Sequence, residues 1–244
     1  MRIIQITDLH IYPKDEIIDG VNTRNNFIKV LEDIHKINYD LVVLTGDLSI
    51  TEGDESIYKW IKQQLNNNNI NNHFVIGGNH DDANTLAKVF GKNYYLTDNE
   101  LYYFVKPNII FLDTIKGYCS KKQLDWFRQQ IIGIKDESPI IFMHHPPFKS
   151  GVPHMDKKYA FQQTDEFVEI CGLTNNTKYV FTGHYHNEIS LMYKNVSMFI
   201  TPSLYLQIDM FEEDFKTYHT VPAYRIIDID GSQLKTTVRY VFDK

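Results

Sequence analysis

Five short apolar segments of this chain each end in side chains that can bind a metal ion. Each segment is rich in Ile, Val and aromatic residues with little polar alternation, a pattern typical of strands that are buried on both faces. The segments are residues 2–7, 41–45, 74–76, 139–143 and 179–182, and the side chains after them are Asp8, His10, Asp47, Asn79, His80, His144, His184 and His186. Open α/β sheets form their sites at the carboxyl ends of strands. If the strands lie side by side in one sheet, these side chains collect along one edge.

The size and charge of the chain restrict its class. The sequence has 244 residues, of which 43% are hydrophobic and 23% charged, and no linker-like segment divides it, so we expect a single domain over residues 1–244. The formal net charge of -6 and the pI of about 5.9 argue against nucleic acid or an anionic membrane as the main partner.

Two further features concern the location of the protein. The first strand begins at Arg2, which leaves no room for a signal peptide, and no apolar run approaches the roughly 20 residues that span a bilayer. Cys119 and Cys171 are far apart and form no C-x-x-C pair. A reduced, cytoplasmic setting without a structural disulfide or a membrane partner is therefore expected.

Amphipathic segments alternate with the apolar segments over most of the chain. Helices are predicted at residues 25–37, 54–65, 83–90, 120–131 and 165–171, a hairpin around Pro107 and Asn108, and loops at residues 66–72 and 146–156. From about residue 187 the pattern changes to alternating β, with strands predicted at residues 190–193, 197–201, 224–229 and 235–242. This order predicts two sheets face to face with helices outside.

The donor types select the kind of metal site. Carboxylate, imidazole and carboxamide groups suit divalent or trivalent ions such as manganese, iron or zinc. The set contains no thiolate donors, so a cysteine-based metal site is not expected. The candidate ligands exceed what one ion needs, so two ions that share a carboxylate fit better, about 3.5–4 Å apart as in two-metal hydrolases. Asp47, on the turn after Gly46, is the natural bridging ligand. The Asp-x-His and His-x-His pairs have the spacing that puts both side chains on one face of an extended chain.

Other histidines have simpler interpretations. A single histidine at a strand end is usually a hydrogen-bonded structural residue, so the metal hypothesis depends on the whole set. Either His144 or His145 could be the ligand, whereas His35 and His73 are expected to be structural. The loop residues that could line a substrate pocket are His154, Tyr205 and His219.

The order of these motifs resembles that of the calcineurin-like metallophosphoesterase superfamily. The motifs D-x-H, G-D, G-N-H-D, an apolar strand into His, and G-H-x-H stand at residues 8–10, 46–47, 78–81, 139–144 and 183–186. The resemblance covers residues 2–186. It implies an α/β fold, a four-layer α/β/β/α sandwich with two mixed β-sheets and a metal site at the C-terminal ends of the central strands.

The resemblance also implies a role for each residue. One ion would be held by Asp8, His10, Asp47 and His186, and the other by Asp47, Asn79, His144 and His184. A hydroxide that bridges the two ions would attack phosphorus in line. His80 would assist the leaving oxygen, oriented by Asp81 or by the surroundings of Asp47, and His145 would support the ligand set from behind.

Looser similarities point to a branch of this superfamily. Residues 19–23, 144–148 and 201–203, the last followed by Gln207, resemble the class III cyclic-nucleotide phosphodiesterases. This implies a small phosphodiester substrate, above all a 3′,5′-cyclic nucleotide such as cAMP, with residues 146–156 and 204–220 around the pocket.

Several alternatives to this function stay open. They are a glycerophosphodiesterase, a broad-specificity phosphomonoesterase or nuclease, and a non-catalytic scaffold. The intact ligand set disfavours the scaffold, and the acidic charge disfavours the nuclease. The β-rich residues 191–242 offer a surface for a homodimer.

Overall fold

The computed structural model describes residues 1–91, 96–105, 107–134 and 137–242. The helices in these ranges are α1 (Thr23–Ile34), α2 (Glu55–Asn67), α3 (Ala83–Phe90), α4 (Lys121–Gly133), α5 (Pro153–Lys158) and α6 (Thr164–Cys171). The strands are β1 (Arg2–Ile6), β2 (Leu41–Thr45), β3 (His73–Ile76), β4 (Leu96–Thr97), β5 (Glu100–Leu101), β6 (Tyr103–Val105), β7 (Ile109–Phe111), β8 (Ile140–Phe142), β9 (Lys178–Thr182), β10 (Ile189–Tyr193), β11 (Val196–Ile200), β12 (Gln207–Ile208), β13 (Thr217–His219), β14 (Ala223–Asp230) and β15 (Gln233–Tyr240).

The described strands form two large mixed sheets. The first has the order β15-β14-β1-β2-β3, in which β1, β2 and β3 are parallel and β14 and β15 are antiparallel to their neighbours. The second has the order β10-β11-β9-β8-β7-β6, with parallel pairing from β11 to β7 and antiparallel strands at both edges. Pairs β4–β5 and β12–β13 stand apart from these sheets. The predicted fold class is confirmed.

The strands that lead to the candidate ligands are divided between the sheets. β1, β2 and β3 belong to the first sheet, whereas β8 and β9 belong to the second. The expectation that they share the edge of one sheet is therefore wrong. The candidate ligands come together because two sheets pack face to face with their carboxyl ends at the same side.

Alternation along the second sheet defines the layers. The side chains that pack toward the first sheet are Phe111, Phe142, Phe181 and Phe199, and those that pack toward α4 and α6 are Ile110, Ile141, Val180 and Met198. The inward phenylalanines stack on one another, with ring centroids 5.1–5.6 Å apart. Helices α1, α2 and α3 cover the first sheet through Phe27, Ile61 and Leu86. The order of layers is therefore helix, sheet, sheet, helix.

Capping side chains explain where the helices begin. Asn22 accepts a hydrogen bond from the Asn25 N–H, so α1 begins at Thr23, two residues earlier than predicted. Asp54 and Ser120 cap α2 and α4 in the same way. The predicted loop at residues 146–156 is wrong at its end, because α5 begins there with Pro153 at the first helical position. No described helix is long and apolar enough to cross a bilayer.

A buried carboxylate joins the first helix to the last two strands of the first sheet. Asp33 on α1 accepts hydrogen bonds from Lys36 Nζ at 2.8 Å, from the Tyr224 hydroxyl at 2.9 Å and from Arg239 at 3.1 Å. Burial alone would raise the pKa of Asp33, but these hydrogen bonds outweigh it and lower the pKa. The ionised carboxylate therefore stabilises the fold above its ordinary pKa, and this contribution is lost as the pH falls through the lowered value.

The substitution Asp33→Asn tests this junction. We expect it to lower the free energy of unfolding at pH 7 by about 1–3 kcal/mol, because charge-assisted hydrogen bonds to a buried group are lost. The difference from the wild type should narrow below about pH 4, where the carboxylate takes up a proton. Urea denaturation at several pH values measures it. The partly exposed Arg2–Asp228 pair supplies the control, since Asp228→Asn should cost no more than about 1 kcal/mol. Equal losses at pH 7 and pH 3 would contradict the assignment.

Candidate metal centre

Among the described residues, three groups of side chains could each hold a metal ion. Within each group the ligand atoms all lie within 4.8 Å of one another. The groups are Asp8, His10 and His186; His10, Asp47 and His80; and Asp47, His144 and His184. His10 and Asp47 each belong to two groups, so the three form one continuous centre where the two sheets meet.

The backbone at this centre is left-handed at five of these residues. The φ angles are 52° at Asp8, 44° at His10, 49° at Asp47, 67° at His184 and 50° at His186. Such angles are uncommon for residues other than glycine, and they persist where the surrounding structure enforces them, often at functional sites. The backbone at the Asp-x-His and His-x-His pairs is therefore not extended as expected, although Asp8 and His10 do fall in one group as predicted. The turns send His184 and His186 into different groups.

Glycine allows the backbones to approach closely at this centre. A Cβ atom added to Gly183 would overlap Thr7 Oγ1 and Asp8 Oδ2, and one added to Gly78 would overlap Asp47 Oδ1. A Cβ atom added to Gly46, at φ 95°, would overlap the His144 ring. Only glycine fits where β2, β3 and β9 bring their ends together.

Backbone carbonyls fix which ring nitrogen of each histidine faces the centre. His144 Nδ1–H donates to the Thr45 carbonyl at 2.9 Å, and His186 Nδ1–H donates to the Leu206 carbonyl at 2.9 Å. His184 uses the opposite nitrogen, because its Nε2–H donates to the Tyr159 carbonyl at 3.0 Å. A carbonyl can only accept, so the second nitrogen of each ring keeps its lone pair for a ligand.

The donor set fits a cation. His144 Nε2 is buried and has no hydrogen-bond partner among the described residues, although it lies 3.4 Å from Asp47 Oδ1. His186 Nε2 lies 3.3 Å from Asp8 Oδ1 and 3.1 Å from His10 Nε2. Buried carboxylates and unpaired lone pairs are costly unless a charge compensates them. Converging oxygen and nitrogen donors of this kind suit a divalent metal ion.

The protonation of His10 and His184 agrees with a role as ligands, whereas His144 would first have to lose a proton. Burial lowers the pKa of His10 to about 3 and that of His184 to about 4, so both rings are neutral at physiological pH. Burial would also lower the pKa of His144, but the carboxylates of Asp47 and Asp8 raise it to about 9. Only a neutral imidazole can donate a lone pair to a metal.

The turn after β3 contributes at the open side of the centre. Asn79 is exposed, and His80 is half-buried whereas the other members of the three groups are buried. The His80 N–H donates to Asp47 Oδ1 at 3.0 Å, and His80 Nδ1–H donates to the Ile50 carbonyl at 3.0 Å. The Ile50 carbonyl, and not Asp81, therefore orients the His80 ring.

Asp81 has a different task, which sequence reasoning missed. Its carboxylate accepts hydrogen bonds from the N–H groups of Leu48 and Gly78 and from the Tyr58 hydroxyl, the last at 2.7 Å. It thereby ties the turn that carries Asp47 to the turn that carries Asn79. The position of Asp81 within G-N-H-D was the only sequence signal for this role.

The remaining predicted residues surround the centre. His145 belongs to none of the three groups of described residues; its ring lies 4.1 Å from the His184 ring and its Nδ1 lies 3.1 Å from Thr114 Oγ1. The Tyr205 ring lies 5.7 Å from the His10 ring, which places Tyr205 beside the centre. His154 packs against Tyr159 and Phe215, and His219 against Tyr218 and Tyr240.

The close approach at Gly183 gives a direct prediction. Gly183→Ala should lower metal affinity by at least about tenfold, because the added methyl group displaces Asp8 from the centre. Equilibrium dialysis against Mn²⁺ measures the loss. Gly133→Ala is the matched control, since open space surrounds Gly133. This variant should bind metal as the wild type does. A Gly183→Ala variant with wild-type affinity would contradict the geometry.

Comparison with known proteins agrees with this architecture. Residues 1–188 match the sequence profile of the family described as Calcineurin-like phosphoesterase. A probable cyclic nucleotide phosphodiesterase of Fibrobacter succinogenes is 30% identical, over 98% of this chain and 94% of the relative. The 3′,5′-cyclic adenosine monophosphate phosphodiesterase CpdA of Escherichia coli K12 is 24% identical, over 97% of this chain and 88% of the relative.

A solved structure supports the same fold. The crystal structure of the protein TT1561 of Thermus thermophilus is similar with a TM-score of 0.56 at 13% sequence identity, over 97% of each chain. The likeness extends along nearly the whole chain. Since the family profile spans residues 1–188 and includes every candidate ligand, the chain belongs to the calcineurin-like phosphoesterase family.

Proposed function

We propose that this protein is a metal-dependent phosphodiesterase that hydrolyses small phosphodiesters at a dinuclear centre, with 3′,5′-cyclic nucleotides as its main substrates. The observation that carries the proposal is the joining of three ligand groups through Asp47 and His10. The names of the relatives from Fibrobacter succinogenes and Escherichia coli support the substrate class.

We assign the ligands to two ions that share Asp47. One ion would be held by Asp8, His10, Asp47 and His186, and the other by Asp47, Asn79, His144 and His184. Asp47 supports this division because it belongs both to the group with His10 and to the group with His144. Asn79 would add a carboxamide oxygen from the exposed side. Manganese, iron and zinc all accept this donor set.

The residues of the chain prepare the site for phosphoryl chemistry. When bound, two metal ions supply a nucleophile near neutral pH and neutralise charge on the phosphoryl oxygens. Asp47 and Asp8 are held in place by the His80 and His184 N–H groups, at 3.0 and 2.9 Å. His80 is half-buried with its Nδ1–H fixed on Ile50, so its Nε2 is the nitrogen that can hold a proton for the leaving oxygen.

The surroundings favour a small substrate. The Tyr205 ring lies beside the His10 ring, and the Tyr205 hydroxyl lies 3.3 Å from the Tyr12 hydroxyl. We propose that they border the pocket on one side and that α5 borders it on the other, because the Tyr159 carbonyl at the end of α5 accepts the hydrogen bond from His184. We also propose that the chain acts as one unit over residues 1–244 in a reducing, cytoplasmic setting, with both cysteines free and buried.

Hydrolysis assays with added Mn²⁺ test the proposed reaction. We expect 3′,5′-cyclic AMP to be hydrolysed in preference to a bis-aryl phosphodiester, glycerophosphodiesters and a phosphomonoester. His80→Ala should lower kcat by about 10²–10⁴-fold, because a proton donor to the leaving group is lost. A preference for glycerophosphodiesters or for the monoester would overturn the proposed substrate class.

Metal counting tests the assignment of the ligands. We expect the wild type and His80→Ala to bind two ions, whereas Asp47→Asn should weaken both by more than about 100-fold, since each ion loses a charged ligand. Metal content after dialysis measures the difference. Asp113→Asn is the control, because Asp113 is a buried carboxylate outside the three candidate metal-binding groups found among the described residues. Two ions retained by Asp47→Asn would refute the shared carboxylate.

A further inference from the structure

A segment beyond the family profile forms hydrogen bonds to two of the candidate ligands. The profile ends at residue 188, yet residues 203–208 make four hydrogen bonds to Asp8 and His186. The Asp8 carbonyl accepts from Ser203 Oγ at 2.9 Å and from the Leu204 N–H at 3.2 Å. His186 donates from Nδ1 to the Leu206 carbonyl at 2.9 Å, and its own carbonyl accepts the Ile208 N–H at 3.2 Å.

These bonds act where the backbone needs support. Asp8 and His186 are both left-handed, with φ angles of 52° and 50°. A hydrogen bond to the Asp8 carbonyl holds its peptide plane, and the bond from His186 Nδ1 fixes the orientation of its ring. Both effects keep the carboxylate and the free imidazole nitrogen directed at the centre.

The segment is itself braced by one buried side chain. Gln207 Oε1 accepts the Ser203 N–H at 3.0 Å, and Gln207 Nε2 donates to the carbonyls of Ser203 and Val221 at 2.8 and 3.3 Å. Ser203 Oγ also accepts the Tyr205 N–H at 2.8 Å. Gln207 is 3% exposed and Ser203 is fully buried, so water cannot replace these partners.

The other half of the centre is supported from elsewhere. His144 is held by the Thr45 carbonyl on β2, and His184 by the Tyr159 carbonyl after α5. Asp47 accepts the His80 N–H. Residues 203–208 therefore support the group of Asp8, His10 and His186 selectively.

We propose that Ser203 and Gln207 are positioning residues that set the affinity of the Asp8–His10–His186 half of the centre more strongly than that of the other half. This inference rests on the proposed function only in that two ions bind. Because residues 203–208 bond to Asp8 and His186, whereas His144 and His184 are held by the Thr45 and Tyr159 carbonyls, loss of the brace weakens one ion more than the second. The protein then passes through a state with a single ion at Asp47, His144 and His184.

Equilibrium dialysis against Mn²⁺ over a wide concentration range tests the proposal with Gln207→Leu and Ser203→Ala. We expect one of the two dissociation constants to rise about 10–100-fold in each variant while the other rises by a clearly smaller factor. Gln207→Leu keeps most of the side-chain volume, and Ser203→Ala removes only the hydroxyl oxygen. Thermal melting confirms that each variant is folded.

Gln123→Leu provides the matched control. Gln123 is fully buried and hydrogen-bonds both backbone groups of Asp113, as Gln207 does with Ser203. It accepts the Asp113 N–H at 2.7 Å and donates to the Asp113 carbonyl at 2.9 Å. Asp113 belongs to no candidate ligand group among the described residues. The control should lose stability and keep both dissociation constants.

The outcomes separate the inference from the proposed function. The positioning role would be overturned if both Mn²⁺ dissociation constants were unchanged in both test variants. It would also be overturned if the binding of both ions were weakened equally. A wild type that binds fewer than two ions would instead refute the dinuclear proposal before any variant is considered. If two ions bind but cyclic nucleotides are not hydrolysed, the substrate proposal fails while the metal titration still decides the role of Ser203 and Gln207.

Discussion

Two buried carboxylates at the meeting point of two sheets are the constraint on which this structure depends. Asp8 is fully buried and Asp47 is 2% exposed. A buried charge is tolerated only when other charges or hydrogen bonds compensate it. Imidazole rings from four strand ends and backbone N–H groups provide this compensation within the chain, and the free lone pairs of the rings make the same place suitable for cations.

The fold brings these groups together at the cost of unusual backbone. Left-handed residues at five candidate ligands and glycines at the close approaches allow the ends of β1, β2, β3, β8 and β9 to converge. A polar chain between the sheets fixes their spacing below the centre. Gln5 Nε2 donates to Thr45 Oγ1 at 2.9 Å and across the interface to the Thr182 carbonyl at 3.1 Å. Since packed interiors deform little, the distances at the centre follow from this spacing.

The sequence predicted the elements and the candidate ligands better than their arrangement. The amphipathic and apolar patterns identified α3 and β2 with exact boundaries, because local patterning determines them. The division of β1 and β9 between two sheets depends on strand pairing between separate parts of the chain, such as β1 with β14, which local patterns do not encode. Support through backbone atoms was equally invisible, since Ser203 and Gln207 act on carbonyl and N–H groups that every residue possesses. Short elements such as β12 and α5 carry too few residues for a periodic signal.

In the proposed centre, two metal ions share Asp47. Electron paramagnetic resonance of the protein titrated with Mn²⁺ tests it most directly, because ions about 3.5–4 Å apart with a common carboxylate are magnetically coupled. We expect the second equivalent of Mn²⁺ to replace the spectrum of an isolated ion with that of an exchange-coupled pair. Two tightly bound equivalents that retain the spectrum of isolated ions would contradict a centre built around Asp47.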